Sequence, residues 1–62
     1  MRIVVNGEER TVDGTPTVSD LVPRTHGVAV AVNGEVVPRS SWTEHPVRDG
    51  DAVEILTAVQ GG

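Results

Sequence analysis

The chain has no Cys and no Lys, a single aromatic residue (Trp42), and no apolar run longer than a short strand. Each absence removes a class of function. Without Cys there are no disulfides, no thiolate metal ligands and no thiol nucleophile, so hydrophobic packing alone must hold the fold. No side chain can carry sulfur as a persulfide. All five basic residues are Arg, so the chain also lacks a side-chain amine that could accept an acyl group. Nine acidic residues against five basic ones give a net charge of -4. A footprint for a phosphate backbone is missing, so nucleic acid is not an expected partner, and any partner steered by charge should be basic. Arg2 directly follows Met1 with no apolar leader region, and nothing is long enough to cross a bilayer. The expectation is a soluble cytoplasmic protein without membrane association, monomeric when free.

What is there reads as one small domain, because 62 residues bury only about 60% of the surface of the unfolded chain. Strand formers dominate. Ile3-Val4-Val5 leads into Asn6-Gly7 and a polar-alternating run follows from Glu8 to Val12; Asn-Gly between two such runs is the strongest short hairpin signal. Asn33-Gly34 repeats the device between Val28–Val32 and Glu35-Val36-Val37, predicting a second hairpin over 28–38. Between them a short helix is expected, started by Thr15 with Pro16 or by Thr17 with Asp20, and presenting Val18, Leu21 and Val22 on one face. Pro23 limits it to about two turns or less. A last strand follows Asp49-Gly50-Asp51 and runs through Ala52–Val59. This order predicts an α+β domain, a mixed sheet of four to five strands with one short helix on one face. The core candidates are Ile3, Val5, Val12, Leu21, Val53 and Ile55.

Two features stay open. Trp42, within a segment 39–48 that reads as irregular, either plugs the edge of the core or sits on a binding surface, and plugging is the expected role. The Val-Ala alternation of residues 28–32 fits a strand with bulky residues on the helix side and small ones on an open face, where Ala29 and Ala31 would form a partner surface with Val4, Leu56 and Ala58. A central strand buried on both faces would produce the same run and is the simpler reading.

Catalytic constellations are scarce. His26 and His45 lie far apart without ligand-like spacing and read as solvated loop residues. Ser40 and Ser41 have no nucleophile context, and Asp49 and Asp51 read as turn chemistry. What remains is the ending Val59-Gln60-Gly61-Gly62. A terminal Gly-Gly arises by chance in roughly one chain in two hundred at ordinary Gly usage, and a frayed end or an expression scar would account for it blandly. The functional alternative is physical. Two Gly residues make the thinnest and most permissive peptide, able to thread a narrow channel and bring a carboxylate to a buried reaction centre. Joined to AMP from ATP, that carboxylate becomes a mixed anhydride that a sulfur nucleophile can attack. A thiocarboxylate results, and the carrier needs no catalytic side chain of its own.

The run Val32-Asn33-Gly34-Glu35-Val36-Val37-Pro38-Arg39, then Trp42, Asp49-Gly50-Asp51, Val53-Glu54-Ile55-Leu56 and the ending Thr57-Ala58-Val59-Gln60-Gly61-Gly62 resemble the β-grasp sulfur carriers of the ThiS/MoaD family, most closely the ThiS type of thiamine biosynthesis. The N-terminal half matches only in pattern. The resemblance implies a ubiquitin-like β-grasp domain over 1–59 and a flexible tail over 60–62. It implies a carrier rather than an enzyme. Gly62 would be adenylated with ATP by an E1-like, ThiF-type adenylyltransferase, with no permanently bound cofactor and no metal. Sulfur would come from a donor such as a cysteine desulfurase and pass to a ThiG-type thiazole synthase. Val59, Gln60, Gly61 and Gly62 would be the segment the partners grip. One departure is the shortened helix, cut by Pro23-Arg24-Thr25-His26-Gly27. Rival readings are the small subunit of molybdopterin synthase, typically longer and more aromatic before its tail, a ubiquitin-like modifier joined to a target Lys, and a plain binding module with an incidental tail.

Overall fold

A computed structural model describes residues 1–23 and 27–57. Both Asn-Gly pairs form the expected turns. Asn6 and Gly7 have φ of 50° and 82°, Asn33 and Gly34 have 52° and 85°, the positive values that a tight two-residue hairpin loop requires and that Asn and Gly tolerate best. The first turn joins β1 (Arg2–Val5) to β2 (Glu8–Thr11), and the second joins β3 (Val28–Val32) to β4 (Glu35–Val37). Mutual bonds of 2.9 Å between the Met1 and Val12 backbones extend the first hairpin by one rung. The last strand, β5, spans Ala52–Thr57.

The sheet order is β2-β1-β5-β3-β4. β5 is central, parallel to β1 (Val4↔Ala52, Val5↔Val53) and antiparallel to β3 from Val28↔Thr57 to Val32↔Val53. Period-2 alternation then sorts the side chains. Ile3, Val5, Val30, Val32, Val37 and Val53 point to one face and are buried.

That face is covered by α1 (Val18–Leu21), a single helical turn, and by a 3-10 helix over Arg39–Glu44. Of the two helix starts read from the sequence, the Thr17 one forms. The Asp20 carboxylate accepts from the Thr17 backbone N–H at 2.9 Å and from its hydroxyl at 3.2 Å, satisfying donors that a helix start leaves open. The helix entry is tied to the loop that leaves the 3-10 helix. Val18 N–H donates to the His45 carbonyl at 2.9 Å, and Val47 N–H to the Pro16 carbonyl at 2.8 Å. Val18 and Val47, both fully buried, thereby cap the sheet's inner face from two neighbouring segments.

Trp42 plugs this core. It is 3% exposed, and its indole N–H donates to the Val37 carbonyl at 2.9 Å, so its one polar atom is satisfied where water does not reach. Three expectations need correction. Residues 39–44 are a 3-10 helix rather than irregular chain, because Pro38 opens the turn and Ser41 N–H bonds back to its carbonyl at 2.9 Å. Val12, Leu21 and Ile55 lie at the rim, half-buried, while Val18, Val30, Val32, Val37, Trp42 and Val47 complete the centre. His45 is not a solvated loop residue: it is half-buried, and its Nδ1 is out of solvent with no partner among the described residues.

Two substitutions separate the roles of Trp42. Trp42→Phe keeps most of the packing but loses the indole N–H bond to the Val37 carbonyl, at an expected cost of about 1 kcal/mol. Trp42→Ala also opens a cavity and should cost about 3–5 kcal/mol. Urea denaturation followed by circular dichroism measures both.

Candidate functional site

The strand that leads into the tail is tied to its neighbours by side chains that the sequence reading treated only as turn formers. Asn33 N–H donates to the Ala52 carbonyl at 2.7 Å, while the Asn33 amide accepts from Ala52 N–H at 3.0 Å and donates to the Asp51 carboxylate at 3.0 Å. Asp51 also receives the Arg48 N–H at 2.8 Å. Asp49 accepts from Arg2 N–H at 2.7 Å, and Gly50 N–H donates to the Arg2 carbonyl at 2.8 Å. The Asp49-Gly50-Asp51 turn is thus a clasp binding the start of β5 to β1 on one side and to the β3–β4 turn on the other. On the β1 side Asn6 holds the strand further along, bonding both backbone groups of Ile55.

The sheet's second face carries no covering element among the described residues. Here the register brings Ala29 opposite Leu56, and Ala31 opposite both Glu54 and Val36, with Val4 beside Ala52. Leu56 is 60% exposed and Val36 77%. Ala29 is exposed, and Val4 and Ala31 are half-buried. The one-sided reading of the Val-Ala run is therefore the correct one, and burial on both faces is excluded. Val36 was missed, although its place opposite Ala31 follows from the hairpin register. A shallow hollow lined by Gly27, Val28, Ala29, Leu56 and Thr57 lies on this side of the molecule, where β5 ends. Of the expected surface, Ala58 lies outside the described residues, as do Val59, Gln60, Gly61 and Gly62.

A larger open groove lies between Val36, Pro38, Ser41, His45, Arg48 and Asp51. It sits at the start of β5, a strand length of about 20 Å from Thr57 by the usual rise per residue. Among the described residues no group of three or more His, Cys, Asp or Glu could hold a metal ion, and no helix is long and apolar enough to cross a membrane.

A mixed five-stranded sheet in this order, grasping a short helix on one face, defines a β-grasp domain. The ThiS family model matches residues 3–62. The sulfur carrier protein ThiS of Escherichia coli is 33% identical over 66 aligned positions that cover 100% of both proteins. A crystal structure of the thiamine biosynthesis protein ThiS from Geobacter metallireducens superimposes with a TM-score of 0.84 at 40% identity, covering 100% of each chain. A thiazole synthase of Paramagnetospirillum magneticum is 41% identical over 66 positions; these cover 100% of this chain, which spans 20% of that protein's length. The chain belongs to the ThiS family.

The clasp at Asn33 makes a separable prediction. Asn33→Gly keeps the positive φ and loses the side-chain bonds, whereas Asn33→Ala loses both. Asn33→Ala should therefore be the more destabilising of the two by about 1 kcal/mol, the strain of a Cβ in left-handed backbone, as read from urea midpoints.

Proposed function

We propose that this chain is the sulfur carrier for thiazole formation in thiamine biosynthesis, with the carboxylate of Gly62 as its working group. Its end-to-end correspondence with ThiS of Escherichia coli carries the reading. In the proposed cycle the Gly62 carboxylate attacks the α-phosphorus of ATP in an E1-like, ThiF-type adenylyltransferase, and pyrophosphate leaves. The terminal sulfur of a persulfide on a donor such as a cysteine desulfurase then attacks the acyl carbon and expels AMP, and a thiol cleaves the resulting acyl disulfide, leaving a thiocarboxylate and joining to the donor's remaining sulfur as a disulfide. A ThiG-type thiazole synthase consumes that sulfur and returns the carboxylate. ATP is a co-substrate of the partner and not a resident group, and its use sets the cycle in the cytoplasm.

The absence of Cys and Lys supports this assignment of labour, because no side-chain thiol or amine competes with the Gly62 carboxylate for sulfur or an acyl group. A carrier needs two surfaces, one to be recognised and one to react. Val4, Ala29, Ala31 and Leu56, joined by Val36, supply the first: an apolar patch in which Ala29, Leu56 and Val36 are exposed and Val4 and Ala31 half-buried, it gains by burial against a partner. Glu54, opposite Ala31 in this patch, gives it a negative centre that favours a partner with a basic residue there. The second surface is the segment Val59, Gln60, Gly61 and Gly62. The likeness to a segment within a thiazole synthase supports that enzyme as the recipient, since chains that act together are found joined as well as separate.

Deleting Gly62 should abolish rescue of a carrier-null strain on medium without thiamine while leaving the urea midpoint unchanged. Rescue by the truncated chain would contradict the proposal. Leu56→Asp should weaken capture by thiazole synthase about tenfold or more, the loss expected of a central apolar contact, with stability within about 0.5 kcal/mol of the parent because the site is exposed. Titration calorimetry measures the first effect and denaturation the second.

A further inference from the structure

β5 outruns β1. Their parallel pairing reaches Val5↔Val53, and there β1 gives way to the Asn6-Gly7 turn. Asn6 takes over where the strand stops. Its backbone N–H donates to the Val53 carbonyl at 2.9 Å; its side-chain Oδ1 accepts from Ile55 N–H at 2.7 Å, and its Nδ2 donates to the Ile55 carbonyl at 3.2 Å. A carboxamide offers the donor and acceptor of a peptide unit. The side chain therefore reproduces one rung of the sheet ladder, at the last point where β5 is held from the β1 side among the described residues.

Turn geometry does not account for this. Gly would meet the φ of 50° at no steric cost, and the two side-chain bonds go to the strand that carries the tail, 49 residues away, and not to Asn6's own hairpin. Without them the N–H and C=O of Ile55 would face solvent on that side, and strand ends with exposed backbone bonds open first. We propose that Asn6 is a positioning residue for the activation of Gly62: by clamping Ile55 it fixes the direction in which β5 hands over to the tail, so that the tail reaches the adenylating centre from a defined origin. The proposal rests on the sulfur-carrier reading above. Its physical basis is preorganisation, since each degree of freedom left in the last turn of strand must be frozen when the tail enters a narrow channel.

The test compares Asn6→Gly with Asn33→Gly. Both keep positive φ, and both free β5 at one point, Asn33 at its start and Asn6 near its end. Amide exchange is followed by NMR, and ATP-dependent adenylation of the full chain is assayed with a ThiF-type adenylyltransferase. In Asn6→Gly the Ile55 amide should exchange about tenfold faster or more, and KM for the carrier should rise about tenfold with kcat within about twofold. Asn33→Gly should speed exchange at Ala52 and leave KM within about twofold of the parent. Unchanged protection of Ile55 in Asn6→Gly, an unchanged KM, or an equal rise in KM for Asn33→Gly would overturn the proposal. Failure of the parent chain to form an acyl adenylate would instead contradict the carrier reading, and exchange at Ile55 would still decide whether Asn6 clamps the strand.

Discussion

Everything in this fold is arranged around β5, and β5 is held by the two asparagines of the Asn-Gly turns. Each has a backbone in the left-handed region that closes a hairpin, and a carboxamide that bonds the central strand across the sheet. One residue type at two positions thus couples a local event, hairpin closure, to the long-range event of docking residues 52–55. This coupling matters in a chain of 62 residues, because loop closure has to be offset by few contacts and each hydrogen bond contributes only about 1 kcal/mol net. A hairpin that forms early then presents a ready-made receptor for the C-terminal strand.

The core behind that strand suits the size of the domain. Apart from Ile3 and Trp42, the buried apolar residues among those described are all Val. A β-branched side chain has few rotamers to lose and packs well on a pleated surface, so a Val core orders at low entropic cost but fills little volume. Trp42 supplies the bulk that Val lacks, bonded to the Val37 carbonyl at the end of β4. The Arg2–Glu9 pair adds little: it is 3.9 Å apart with both side chains about 70% exposed, the kind of pair worth well under about 1 kcal/mol. Stability is therefore concentrated on one face of the sheet. The other face carries no covering element among the described residues.

Much of this was legible in the residues, and the reasons differ from one element to another. The hairpins were readable because Asn-Gly between alternating runs admits few other structures. The short helix was bounded by Thr17-x-x-Asp20 at one end and Pro23 at the other, both local signals. The Val-Ala run could not decide between a bare face and double burial, because that depends on what other segments cover, and register through Leu56 and Val36 settled it. Val47 escaped notice and His45 was misread as solvated because their burial comes from the tie between residues 45–47 and 16–18, a pairing of non-regular segments with no periodicity. The clasps of Asn6 and Asn33 were hidden by their own turn chemistry, which had already explained those residues. A signal did exist. Gly-Gly would have served either turn, and the use of Asn twice asks what the amide is for.

A domain that puts its stability on one face, leaves an apolar patch on the other and sends its central strand toward a Gly-Gly ending is built to be handled by other proteins. The direct test of that account is the intact mass of the chain after incubation with ATP, a ThiF-type adenylyltransferase and a sulfur source, followed by fragmentation. The account predicts an unattached carrier in which one oxygen is replaced by sulfur, with the change located at Gly62. An unchanged mass, sulfur located at any other residue, or a larger species joined to a second protein through an isopeptide bond would contradict it.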